Sequence, residues 1–290
     1  MAAPDNWGML IIDGHTHIVP PAVVVNRARL AGQDAHFGAL YADPRSRLAT
    51  AADLLSALDR CSANAAIAFG WAFRDNGLCR ECNDYTLAIA LESRGRVLPL
   101  AVVNPATPEG LREASRCLAQ GALGLGELLP DGQGYDLDNP GLATLLGLAA
   151  EAQAPVLLHV NEPLGHAYRG KGPHGPAEAL RLIQRHPQND LILAHWGGGL
   201  CFYELMPEVR AACARVYYDT AASHLLYDDA IYRSALAWAP TRILWGSDYP
   251  LVSPRRDLAR IRALGLAPES QAALLGGNLA RLFAIEAEVD

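Results

Sequence analysis

The chain predicts an α/β fold, a single (β/α)8 (TIM) barrel spanning residues 1–290 with a long loop after the first strand. Three observations carry that prediction. Eight short apolar, β-branched runs alternate with amphipathic ones, the pattern of a parallel sheet with helical crossovers. The length of 290 residues and the 51% hydrophobic content suit one large core. Several of the apolar runs also end on His, Glu or Asp, where a barrel gathers its catalytic groups.

The elements follow in order. Strands are expected over Met9–Asp13, Ala65–Phe69, Val97–Val103, Ala122–Glu127, Val156–His159, Leu191–His195, Val216–Thr220 and Ile243–Gly246. Helical patterns fall between them over Ala51–Cys61, Asn83–Arg94, Pro108–Ala119, Asn139–Ala152, Pro176–Arg185, Glu204–Ala214 and Ala230–Ala239. Arg256–Ala263 and Pro268–Phe283 close the chain as helices. Thr50 suits an N-cap, with Asp53 in the first turn behind it, and Pro108-Glu109 suits a helix start. Residues 18–49 make a long connection, read as a lid or substrate wall over the C-terminal face of the barrel, with a mobile surface excursion or an oligomer contact as the alternative. An open doubly wound sheet would want a Gly-rich phosphate loop after an early strand. Gly197-Gly198-Gly199 lacks both the Lys-Ser/Thr of a P-loop and dinucleotide spacing.

Composition excludes several classes. A net charge of -7 without a basic stripe argues against nucleic acid. No apolar run is long enough to span a bilayer, so no membrane partner is expected. No basic-then-apolar leader is visible, and a cytoplasmic protein is the expectation. Six scattered cysteines read as reduced thiols. Cys79 and Cys82 have the spacing of a metal or redox pair but no second pair to complete a zinc site.

The chemistry-bearing pattern begins at His15-Thr16-His17, because an extended His-x-His puts both rings on one side of a strand. Two imidazoles on one face suit a divalent transition metal. Glu127, His159, His195 and Asp248 end later strand-like runs. Polar groups at the ends of buried strands are costly unless paired or coordinated, so six of them together imply at least one metal ion.

The motifs Ile12-Asp-Gly-His-Thr-His17, Leu158-His159, Ala194-His-Trp-Gly-Gly198, Trp245-Gly-Ser-Asp-Tyr-Pro250 and Gly276-Gly-Asn-Leu-Ala-Arg-Leu-Phe283 resemble the amidohydrolase superfamily. The likeness is to its branch of aminocarboxymuconate-semialdehyde decarboxylase-like proteins. Any one motif is weak; their order along the whole chain makes the resemblance specific. It implies that His15, His17 and Asp248 hold a first metal. In members with one ion, His159 would complete that shell while His195 handles protons or polarises substrate. In members with two ions both would hold the second, with an acid on strand four or a carboxylated lysine as the bridge. Glu127 falls at that position, with a salt-bridged or substrate-bonding acid as the alternative.

Two reactions follow as expectations. The first is hydrolysis of a small ester, lactone, amide or phosphoester. A metal would lower the pKa of its water from ~15.7 to ~7, with Asp248 and His195 as the catalytic residues. The alternative is non-oxidative decarboxylation of a small carboxylic acid, a lyase reaction, with an arginine on the carboxylate. A third class, a metal-stabilised binding protein, fits poorly, since a structural zinc site is closed by four protein ligands. Zinc is the expected ion, as one or two per chain; manganese, iron and cobalt also fit. Arg74, Tyr168, Arg169 and His224 are the candidate substrate-binding residues, and Trp71, Phe73, Trp196 and Tyr249 join them in the loops after the strands. His166 and His174 flank Tyr168 in a Gly-rich loop, His186 precedes a proline at a helix end, and His36 sits in the long first loop. The expected partner is a small-molecule substrate, and a homo-oligomer is the prior.

Overall fold

The structure is a computed structural model that describes residues 9–285, so the two ends of the expected 1–290 domain lie outside the described residues. Eight strands form one parallel sheet in sequence order: β1 (Ile12–His17), β2 (Ala65–Phe69), β3 (Val97–Ala101), β4 (Gly124–Leu128), β5 (Val156–Leu158), β6 (Leu191–Leu193), β7 (Val216–Asp219) and β8 (Ile243–Leu244). Closure runs through the segment after β8. Gly14 N donates to Trp245 O at 2.8 Å, Asp248 N to His15 O at 3.0 Å, and His17 N to Tyr249 O at 2.7 Å. The molecule is therefore a (β/α)8 barrel.

Alternation with period two sorts the strand side chains into two cores. Ile12, Ile67, Phe69, Leu98, Leu100, Leu157, Ile192 and Leu244 pack with one another in one. Ala66, Val97, Ala101, Leu125, Val156, Leu158, Leu191, Val216 and Ile243 pack against helical residues such as Leu54, Ala114, Leu142 and Leu182 in the other. Among the described residues no helix is long and apolar enough to cross a membrane.

Two expected helices match their observed bounds, Pro108–Ala119 and Pro176–Arg185, each opened by a proline. The helix Ala51–Asp59 begins with the expected cap. Thr50 Oγ1 accepts from Asp53 N at 3.4 Å, and Asp53 Oδ2 accepts from Thr50 N at 2.9 Å.

Other expectations are corrected. The long loop after β1 is largely helical, over Pro21–Val25, Arg27–Gln33 and Ala35–Tyr41. Val23, Leu30 and Phe37 recur at seven-residue spacing and are the buried residues of these turns. Asp34 ties the segment to the barrel, accepting from Phe37 N at 2.8 Å and from Arg74 N at 3.0 Å. The expected helix Glu204–Ala214 is instead Leu200–Tyr203 followed by Pro207–Ala212, because Pro207 opens a new helix. Cys79 and Cys82 lie inside a helix, Asn76–Glu92, that starts earlier than expected under an Asp75 cap. Both are fully buried, and burial pushes the Cys82 thiol up to about 12. Burial of this kind disfavours the thiolate that metal binding and redox chemistry need.

Candidate metal centre

β1 delivers two imidazoles to one point. Thr16 turns outward, its hydroxyl donating to Ile67 O at 2.7 Å, while His15 and His17 turn inward against Phe69. His15 Nδ1 lies 2.9 Å from Asp219 Oδ2. An ionised carboxylate only accepts, so Nδ1 carries the proton and Nε2 presents its lone pair to the site. That Nε2 is 3.2 Å from His17 Nε2. Glu127 Oε2 is 3.6 Å from both nitrogens, and Asp248 Oδ1 is 3.8 Å from His15 Nε2 and 3.5 Å from His17 Nε2.

Ligands about 2.0–2.2 Å from one ion, at angles near tetrahedral or octahedral, sit roughly 3–3.5 Å apart. The four donor atoms have nearly that spacing, and their chemistry of two imidazoles and two carboxylates is that of a divalent-ion site. The donor set therefore fits the metal that the sequence implies.

Glu127 faces a second group as well. Glu127, His159 and His195 each place a ligand atom within 4.8 Å of the others, as do His15, His17 and Glu127. His159 Nδ1 is 2.8 Å from Glu127 Oε1, and its Nε2 is 3.3 Å from Asn161 Oδ1. His195 Nδ1 lies 3.0 Å from the Ala221 carbonyl, which must accept, so Nε2 turns inward and stands 3.8 Å from Glu127 Oε1.

Backbone geometry puts these side chains in place. Gly126 has φ 125°, and a Cβ there would sit 2.3 Å from Leu157 O. Only glycine lets the chain pass that close to β5 on its way to Glu127. His195 and Asp248 have φ of 56° and 66°, a conformation costly for side-chain-bearing residues and concentrated at functional sites. Asp219 Oδ1 supports the first by accepting from His195 N at 2.9 Å and Ala221 N at 3.0 Å.

The electrostatics are mutual. Burial disfavours charge on Glu127, yet the rings of His15, His159 and His17 hold its carboxyl below the usual range. Asp248 is likewise buried and likewise lowered, by His17, His15 and His195. Burial acts downward on His15, and Asp219, Glu127 and Asp248 outweigh it, raising the ring to about 10. His159 is raised against its burial, chiefly by Glu127. This is a cluster of anionic oxygens that demands positive charge, which a divalent ion supplies while leaving the imidazoles neutral.

Above the cluster lies a cavity of 590 Å³. Its floor is His17, Glu127, His159, His195 and Asp248. Trp71, His36 and Tyr41 form an aromatic wall, with His36 stacked on Trp71 at 5.8 Å and Tyr41 edge-on to it at 5.0 Å. Trp71 is buried, and its indole N–H has no partner. Arg45, Arg47 and Arg169 line the cavity with Tyr168 and His166.

All six expected metal residues thus meet at one place, and Tyr168 and Arg169 line the cavity above them. Arg74 and His224 do not. Arg74 is exposed, with its guanidinium against Gly134 and its backbone held by Asp34 and Asn104, as the chain leaves β2 for the helix Asn76–Glu92. His224 stands 4.0 Å from Asp257, because Trp196 Nε1 donates to Ser223 Oγ at 2.9 Å and fixes a turn that sends Leu225 and Leu226 to the cavity instead. Phe73 and Trp196 are buried and outside the cavity lining, and His174 pairs with Asp131. Sequence reasoning missed Asp219, Asn161 and Arg47. For Asp219 a signal existed, an acid ending the run Val216-Tyr-Tyr-Asp219 as other acids end theirs.

Comparison with known proteins agrees with the geometry. A family model described as Amidohydrolase matches residues 12–285, and the chain belongs to that family. No curated protein matches the sequence. Among solved structures, the chain is similar to 5-carboxyvanillate decarboxylase from Sphingomonas paucimobilis at 18% identity and TM-score 0.79, covering 96% of this chain and 100% of the other. It is similar to 2,6-dihydroxybenzoate decarboxylase from Rhizobium at 19% and 0.72, with 96% and 100% covered. It is also similar to 5-carboxyvanillate decarboxylase from Novosphingobium aromaticivorans, complexed with manganese, at 16% and 0.78, with 97% and 98% covered. Likeness at these identities establishes the fold. It also corrects the expectation of hydrolysis: these neighbours are decarboxylases of aromatic acids, which backs the alternative reading.

Proposed function

We propose that this member of the amidohydrolase family is a divalent-metal-dependent, non-oxidative decarboxylase of a small aromatic carboxylic acid. The observation that carries the reading is a four-donor cluster of His15, His17, Glu127 and Asp248 beneath an aromatic-walled, arginine-lined cavity, in a chain similar over its length to decarboxylases. Six buried cysteines, all free, support a reducing cytoplasmic setting as part of the same proposal.

When bound, the ion supplies positive charge that holds the acid's carboxylate and stabilises negative charge developing on the substrate. Manganese is the first ion to test because it is bound in the Novosphingobium neighbour, with zinc second on ligand type. Trp71 and His36 give a planar ring a flat face, and the free indole N–H of Trp71 offers a donor to a substrate oxygen. Arg169 and Arg47 complement the acid's charge at the rim. The carbon that loses carbon dioxide must gain a proton. Asp248 is held as a carboxylate facing the cavity, so it can accept a proton from substrate or water and return it to that carbon. His195, fixed by Ala221 O with Nε2 inward, stands beside it as the second proton-handling group.

The test is a panel of hydroxylated and carboxylated benzoic acids given to manganese-loaded and zinc-loaded protein. Carbon dioxide release that depends on the metal supports the reading. Metal-loaded protein that releases none from any aromatic acid contradicts it.

A further inference from the structure

Arginines gather in a second groove, on the outer flank of the barrel mouth. It lies between the helices Ala51–Asp59 and Pro254–Ala263, has a volume of 440 Å³, and is lined by Arg47, Arg60, Arg255 and Arg256 together with Tyr249 and Ser253. Among the described residues none of these four arginines forms a salt bridge. The neighbouring acid is Asp53, whose Oδ2 is already taken by Thr50 N at 2.9 Å and Thr50 Oγ1 at 2.7 Å. Four exposed guanidiniums around one groove, with Asp53 acting on Arg47 and Arg60, leave the groove net positive and attractive to an anion.

A second observation is independent of the charge. Tyr249 is only 2% exposed, lines this groove, and its hydroxyl has no hydrogen-bond partner. An orphaned buried hydroxyl costs free energy that a ligand oxygen would recover. The helix Pro254–Ala263 also begins at this groove, ten residues long and without a side-chain cap from Ser253. Its positive dipole end adds to the attraction for an anion.

We propose that this groove binds a small, multiply charged phosphate anion, a phosphate ester or pyrophosphate, held by Arg47, Arg60, Arg255 and Arg256 and by the Tyr249 hydroxyl. Guanidinium forks match tetrahedral phosphate oxygens, and several of them arranged around one point satisfy more than the two oxygens a carboxylate offers. Arg47 lines both the groove and the metal cavity, and Tyr249 directly follows Asp248. A phosphate seated here ties down the rim of the cavity without entering it, as an effector would.

The probe is pyrophosphate, titrated calorimetrically into metal-loaded protein and into Asp248→Asn at low ionic strength. One site per chain is expected in both proteins, weakening as salt rises. Arg60→Ala and Arg255→Ala, both at exposed positions, should each weaken binding roughly tenfold or more. Tyr249→Phe should raise the melting temperature without anion, since the orphaned hydroxyl is gone, and shrink the further rise that pyrophosphate produces. Absence of binding overturns the proposal. So does binding that survives the Arg60→Ala/Arg255→Ala double variant, which would put the anion on the metal ion. Citrate binding as tightly as pyrophosphate would overturn the assignment to phosphate.

Discussion

The floor and the wall of the cavity are built on different principles. The floor residues sit on or just beyond strands whose neighbours are hydrogen-bonded on both sides, and Asp219 alone ties His15 on β1 to the backbone of His195 beyond β6. The wall comes from connecting segments: His36 and Tyr41 from the helical segment after β1, Trp71 from the turn after β2, Tyr168 and Arg169 from the loop after β5. Chemistry placed on rigid elements is held to tolerances that connecting segments do not meet. Reaction type should therefore depend on the floor, and substrate choice on the wall.

The largest test of that division is Asp248→Asn. It removes the proton acceptor but keeps an oxygen near the ion, so kcat should fall by on the order of a thousandfold with metal content largely kept, read by turnover beside elemental analysis. Near-normal turnover in the loaded variant would remove Asp248 from the mechanism. Asp219→Asn should come next. It leaves the cavity lining intact yet releases His15 Nδ1, and loss of such an outer partner costs roughly 10–100-fold in metal affinity or activity. An unchanged metal dissociation constant together with unchanged activity would show that Asp219 only supports the fold. Trp71→Ala should act on the wall alone, raising KM about tenfold for an aromatic acid with a smaller change in kcat, as expected for lost stacking and one lost donor. An equal fall in kcat would mean that the wall takes part in the chemical step. Arg74→Ala and His224→Ala should be the smallest of all, within about twofold in kcat/KM, because neither side chain reaches the cavity. A tenfold loss in either would show that the cavity closes around substrate by bringing that loop inward.

The same division explains what could be read from the sequence. The eight strands and their helices were legible because hydrophobic period and proline starts are local signals, as at Pro108 and Pro176. The convergence of the six candidate metal residues was legible because each ends an apolar run, so that a linear pattern reports a spatial ring. The helical segment after β1 reads as a loop from sequence although Val23, Leu30 and Phe37 carry a seven-residue spacing, since each of its turns is short and broken by Asn26 and Asp34. Arg74 and His224 were misplaced for a related reason. Proximity to a strand end does not say which way a turn rotates, and at His224 the Trp196–Ser223 hydrogen bond, 27 residues apart in sequence, decides it. Arg47 was missed because it lies 30 residues beyond His17 and reaches the cavity only through the folded path of the segment between them.

The central claim is that this metal cluster removes carbon dioxide from an aromatic acid. The most direct measurement is the ratio of carbon dioxide released to acid consumed, under anaerobic conditions, by metal-loaded, metal-stripped and reloaded protein. The account predicts a ratio of one in the loaded protein, loss on stripping, and recovery on adding manganese back. Loaded protein that leaves every aromatic acid of the panel intact, while cleaving an ester or lactone with no carbon dioxide, would contradict it.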